Sequence, residues 1–124
     1  MVPVDLWSYQ DSGTNDEGGS ELKEIFGESV FDNPKPTRLI ERILRIATSS
    51  GDIVLDFFAG SGTTAQAVLN LNKEDGGKRR FILVSSTEAT ADAPDKNLCR
   101  DVCAERVRRV ISGYTNKKGQ AVEG

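Results

Sequence analysis

One stretch constrains this chain more than any other. It is Asp56-Phe57-Phe58-Ala59-Gly60-Ser61-Gly62-Thr63-Thr64, set between the apolar run Ile53-Val54-Leu55 and the helix-forming segment Ala65 to Leu71. An apolar run, a glycine-rich bend and a helix former describe a strand that turns tightly into a helix. A second apolar strand, Arg79 to Val84, follows the polar loop Lys73 to Lys78. Strand, helix and strand at these lengths predict a βαβ unit with parallel strands and a right-handed crossover. The first strand, Ile53 to Phe57, is apolar apart from Asp56, which predicts cover on both faces.

The bend itself narrows the chemistry. A phosphate-binding P-loop needs a lysine after its last glycine, and here Gly62 is followed by Thr63-Thr64. The other motifs that accompany a kinase glycine loop are missing. Gly60 to Ala65 does match the dinucleotide fingerprint G-x-G-x-x-A, with Glu88 somewhat beyond the expected acid. Asp56 separates the readings. A carboxylate at the strand end repels a pyrophosphate lying in the bend and attracts a cationic ligand. S-adenosylmethionine carries an ammonium and a sulfonium and no phosphate. The glycines admit close backbone approach, and the helix amino end offers N–H groups. On this fragment alone an S-adenosylmethionine site, a nicotinamide-dinucleotide site and a plain structural turn capped by Asp56 all stay open.

Composition bounds the rest. At 124 residues the chain is one domain at most. No apolar run reaches bilayer length and no charged-then-apolar leader opens the sequence, so no membrane partner and a cytoplasmic setting are expected. The net charge is −3, with no basic block, which argues against strong DNA binding by this chain unaided. With no histidine, Ser-His-Asp and Cys-His catalysis are excluded. Cys99 and Cys103 lie at i, i+4 without further ligands, so buried apolar thiols are expected and no metal site.

Along the chain, residues 1–20 read as a flexible arm, because the stretch Asp11 to Ser20 is polar and glycine-rich. Trp7 and Tyr9 are expected to dock on the domain. Glu21 to Phe26 suits a short helix closed by Gly27. Pro36 opens a helix to about Thr48, with Leu39, Ile40, Ile43, Leu44 and Ala47 as its apolar stripe. Leu98 to Ile111 forms a last helix whose arginines, Arg100, Arg106, Arg108 and Arg109, fall mostly off its apolar stripe and face solvent. A non-catalytic alternative uses Arg106, Arg108 and Arg109 with the arm to bind a partner. Residues 115–124 read as a flexible tail.

Three elements occur here in one order: Phe31-Asp32-Asn33-Pro34-Lys35-Pro36-Thr37 leading into Arg38 to Leu44, then Asp56 to Thr64, then Gly76 to Val84. This order resembles the C-terminal part of the β-class adenine-specific DNA methyltransferases. It looks most like the modification subunit of type III restriction–modification systems. The likeness covers about Trp7 to Tyr114.

The resemblance implies an α/β, partial Rossmann-like S-adenosylmethionine-dependent methyltransferase fold over residues 21–114, with an incomplete sheet. It implies that Asp56 holds the methionine amino group and that Phe58 lines the pocket. Gly60, Ser61, Gly62 and Thr63 cradle the methionine portion and ribose. Lys35, Pro36 and Thr37 close the pocket near the methionine carboxylate. The family places an acid near the end of the second strand for the ribose. This chain has Ser85 there, and Glu88 is the nearest candidate. The family's Asp-Pro-Pro-Tyr-type motif is absent, since no two prolines are adjacent, so no catalytic residue is expected in this chain. The implied partners are DNA, through other parts of the parent protein, and a restriction subunit. The strand edges left open are expected to pair with a second copy or to leave an exposed flank.

Overall fold

The computed structural model describes residues 4–124. Two short helices, α1 (Tyr9–Ser12) and α2 (Asn15–Phe26), precede α3 (Thr37–Ala47). Strand β1 (Ile53–Asp56) leads through the glycine bend into α4 (Thr63–Asp75), and β2 (Arg80–Leu83) returns beside it. A π-helical segment, Cys99–Ala104, runs directly into α5 (Glu105–Ser112). The strands β3 (Tyr114–Thr115) and β4 (Ala121–Val122) close the chain. The architecture is mixed α/β.

The βαβ expectation holds. β1 and β2 pair in parallel, with Val54 opposite Phe81 and Leu55 opposite Ile82. The core lies on one side of this two-stranded sheet. Leu44 of α3 and Ala67, Val68 and Leu71 of α4 are buried together, with Ile40, Val54 and Phe81 packed against them. α4 is capped at both ends by left-handed glycines, Gly62 and Gly76.

Cover on both faces is corrected. Ile53, Leu55 and Ile82 are 53%, 49% and 54% exposed. They alternate with half-buried positions, so the helices shield one face and the other stays open. The apolar stripe of α3 is likewise split. Leu44 is buried, while Ile43 and Ile46 are exposed.

The flexible arm is corrected too, apart from residues 1–3, which lie outside the described residues. Thr14 caps α2 by accepting the Glu17 N–H at 3.2 Å, and the helix runs through the glycine-rich stretch to Gly27. Gly18 is the reason a polar, glycine-rich segment folds here. A Cβ on it would stand 2.1 Å from the Pro34 carbonyl oxygen, so α2 lies directly on the Pro34–Pro36 loop. Arg38 clamps the same contact by donating twice to the Glu17 carboxylate at 2.8 Å. Trp7 docks as expected, its ring 5.0 Å beneath the Arg42 guanidinium, whereas Tyr9 is exposed.

The tail is a small antiparallel hairpin, with Tyr114 opposite Val122, in place of a frayed end. Among the described residues no helix is long and apolar enough to cross a membrane.

Candidate cofactor site

The glycine bend is the most tightly built part of the chain. The Asp56 carboxylate accepts the Phe58 N–H at 2.9 Å through Oδ1 and the Thr64 hydroxyl at 2.6 Å through Oδ2. One acid thus ties the strand end, the bend and the first turn of α4 together. Gly60 has φ +52° and faces the Phe31 ring, 3.1 Å from where a Cβ would stand. Gly62 has φ +86° and meets the Cys103 carbonyl oxygen at 3.2 Å and its sulfur at 3.3 Å in the same sense. Both positions have a left-handed backbone, and a side chain at either would press on its neighbour. The π-helical segment bears on the bend at Gly62, and such segments often mark functional positions.

A cavity of about 260 Å³ opens above the bend. Of the residues singled out from sequence, Lys35, Asp56, Phe58, Gly60, Ser61 and Thr63 line it together. The other four do not. Pro36 is buried as the cap of α3, and Gly62 packs backward on Cys103. Thr37 is committed elsewhere: its N–H and its hydroxyl both donate to the Glu21 carboxylate at 3.0 Å. Glu88 lines two neighbouring cavities, of about 400 and 450 Å³, and its carboxylate pairs with the Lys96 ammonium at 3.0 Å.

The three cavities are neighbours that share walls. Phe58 and Gly60 line the first and second, Glu88 and Leu98 the second and third, Phe31 and Asp32 the third and first. The Lys35 ammonium bonds to Asn15 of α2 at 3.2 Å, while its carbonyl accepts the Thr63 hydroxyl at 3.0 Å. Lys35 therefore holds the bend through its backbone.

Sequence reasoning missed Arg106. Expected in solvent, it is wholly buried under the bend, at 0% exposure. Its Nη1 donates to the hydroxyls of Ser61 and Thr63, both at 3.0 Å, and its Nε donates to Gln66 at 2.8 Å. Burial pulls its pKa down to about 10, which leaves it charged at neutral pH. The signal was present: Arg106 follows Val102 by four and Cys103 by three, so it continues the buried stripe of the helix. Charge had outweighed position.

Arg108 and Arg109 are not free for a partner either. Both bond to Glu105, and Arg109 also donates to the Ile25 carbonyl and lies over the Phe26 ring. Cys103 is buried and Cys99 half-buried, both free thiols, as expected. Burial pushes the Cys103 thiol above the usual range.

Comparison with known proteins gives the chain a family. Residues 2–93 match the family described as DNA methylase. The chain is 45% identical over 111 residues to the type III restriction-modification enzyme StyLTI Mod subunit of Salmonella typhimurium, covering 85% of this chain and 17% of that protein. It is 43% identical over 86 residues to the EcoPI Mod subunit of Escherichia phage P1, covering 69% and 13%. It is 44% identical over 85 residues to the type II methyltransferase M.KpnI of Klebsiella pneumoniae, covering 65% and 19%. The chain thus spans less than a fifth of the length of these relatives. The resemblance to type III modification subunits holds, and the dinucleotide alternative is not favoured. By a match that takes in both strands, the glycine bend and the proline-flanked loop, this chain belongs to the DNA methylase family.

Proposed function

We propose that this chain is the S-adenosylmethionine-binding portion of a DNA methyltransferase that methylates adenine N6 in a type III restriction–modification system. The observation that carries the proposal is Asp56. It lines one cavity with Lys35, Gly60, Ser61 and Thr63, and each of its oxygens receives a single hydrogen bond from the chain. A carboxylate offers about four lone-pair sites, so capacity is left for an ammonium. The adjacent cavities, of about 260, 400 and 450 Å³, are each of the few hundred Å³ that small-molecule sites occupy.

In this reading Asp56 holds the amino group of the cofactor. The backbone from Gly60 to Thr63 lies beside the methionine portion and ribose, and Phe58 forms a wall. Lys35, Pro36 and Thr37 shape the rim near the carboxylate, Pro36 and Thr37 through their place in the fold. Glu88, on the neighbouring cavities, is the acid for the ribose. The sulfonium of bound S-adenosylmethionine supplies the activated methyl group. This chain's residues bind and orient. Handling of the flipped adenine is assigned to an Asp-Pro-Pro-Tyr-type motif outside this sequence. The resulting fold is a partial Rossmann-like sheet over residues 21–114. The proposed partners are DNA and a restriction subunit, in the cytoplasm. The open sheet face leaves a homodimer available.

Titration calorimetry of the 124-residue chain tests the proposal. S-adenosylmethionine is expected to bind and NADH not to bind. Asp56→Ala removes a charge-assisted contact and weakens binding roughly tenfold to a hundredfold. Binding of NADH in place of the methyl donor would refute it.

A further inference from the structure

The glycine bend is wired to opposite charges through neighbouring residues. Thr64 donates to Asp56, and Thr63 accepts from Arg106. Asp56 has a clear structural task. Arg106 is harder to account for by structure alone. Among the described residues no carboxylate lies within ion-pair distance of its guanidinium, and all its partners are neutral oxygens. Its Nη2 is buried with no partner among the described residues. The Glu21 carboxylate acts on it only from beyond ion-pair distance. Burying a charge with no directly paired counter-charge is costly, and an apolar side chain of similar length would fill the space at less expense. The location adds to the cost. Ser61, Thr63 and Gln66 surround the amino end of α4, where the helix dipole is already positive. Two positive sources sit together beneath one cavity, and among the described residues neither is directly paired with an anion.

The hydroxyls relay this charge. Thr63 accepts from Arg106 and donates onward to the Lys35 carbonyl, so a chain of bonds runs from the last helix through the bend to the opposite rim. Ser61 accepts from Arg106 and lies 3.4 Å from Thr63, too far for a strong bond. Its own O–H can turn from that weak contact to a ligand at the cavity it lines.

We propose that Arg106 is a positioning residue that fixes the donor sense of Ser61 and the rim contact of Thr63 and, through them, favours the carboxylate of the methionine portion of S-adenosylmethionine. The proposal rests on the cofactor reading above. With Asp56 for the ammonium and Arg106 behind the hydroxyls for the carboxylate, the bend matches a zwitterion.

The test compares two ligands that differ at that end. S-adenosylhomocysteine carries the amino-acid zwitterion, and 5′-methylthioadenosine does not. In calorimetry on the 124-residue chain, Arg106→Met should weaken S-adenosylhomocysteine roughly tenfold or more and leave methylthioadenosine within about twofold. Arg106→Lys should recover part of the loss. Equal weakening of both ligands, or none, would overturn the proposal, since a merely structural role does not discriminate between them. If the Met variant does not fold, Arg106→Lys carries the ligand comparison. Amide exchange in the ligand-free protein is an independent measurement. Arg106→Lys should speed exchange at Ser61 to Thr64 and at Lys35 and Thr37 while sparing β1 and β2. Uniform or unchanged exchange would count against it. A wild-type chain that binds neither ligand would refute the cofactor reading and leave the exchange result to decide the role of Arg106.

Discussion

On the inner face of the β1–β2 sheet, Val54 and Phe81 pack against Leu44, Ala67, Val68 and Leu71. On the outer face, Ile53, Leu55 and Ile82 are about as apolar and keep half their surface in water. The residue types scarcely differ; the cover does. The polar bend sharpens the contrast. Ser61 is 2% exposed and Arg106 0%, so two polar side chains are buried far more deeply than three aliphatic ones. Hydrogen bonding makes that possible, because polar groups with partners can be buried where wholly unpaired ones cannot, and Arg106 leaves only its Nη2 without a partner among the described residues. Apolar character thus says which residues would gain from burial. It does not say which ones have something to pack against.

The largest expected effect breaks the inner face. Leu71→Ala removes a side chain that is 2% exposed and leaves a cavity, at a cost of about 2–5 kcal/mol in urea denaturation. Ile82→Ser makes a comparable loss of apolar surface on the outer face. It should cost under about 1 kcal/mol and raise the concentration at which the chain stays in solution. Equal costs at the two positions would mean that the outer face is covered in solution.

The smallest effect concerns the bend's other support. Burial holds the Cys103 thiol above its ordinary value of 9.0. Below that value the thiol is protonated both folded and unfolded, and its contribution is fully present. As pH rises past 9.0 the unfolded chain loses its proton first, so stability declines until the raised folded value is passed. The difference between wild type and Cys103→Ala, taken from urea melts at about pH 8 and about pH 10, isolates this term from that of Arg106. Thiol labelling should be slower at Cys103 than at half-buried Cys99.

Local patterns carried much of this fold. The βαβ unit was legible because period, glycine bend and helix former all agree within residues 53–84. The helix after Pro36 and the gathering of Lys35, Asp56, Phe58, Gly60, Ser61 and Thr63 around one cavity were legible too. Apart from the tail hairpin, whose pairing is local, the misses share one cause, which is contact between residues distant in sequence. Helix α2 exists across a glycine-rich stretch because Gly18 lets it lie on Pro34, 16 residues on, a contact no local propensity encodes. Thr37 was expected at the pocket and is held away from it by Glu21.

The sequence by itself determined the order of the central elements, the acid at the strand end and the two glycines that suit the left-handed bend. These depend on backbone dihedrals and near neighbours. Only the tertiary structure decided which apolar face is sheltered and that Arg106 lies beneath the bend instead of in water. Those outcomes turn on which surfaces meet. A buried charge is tolerated only where Ser61, Thr63 and Gln66, some 40 residues earlier in the chain, converge on it.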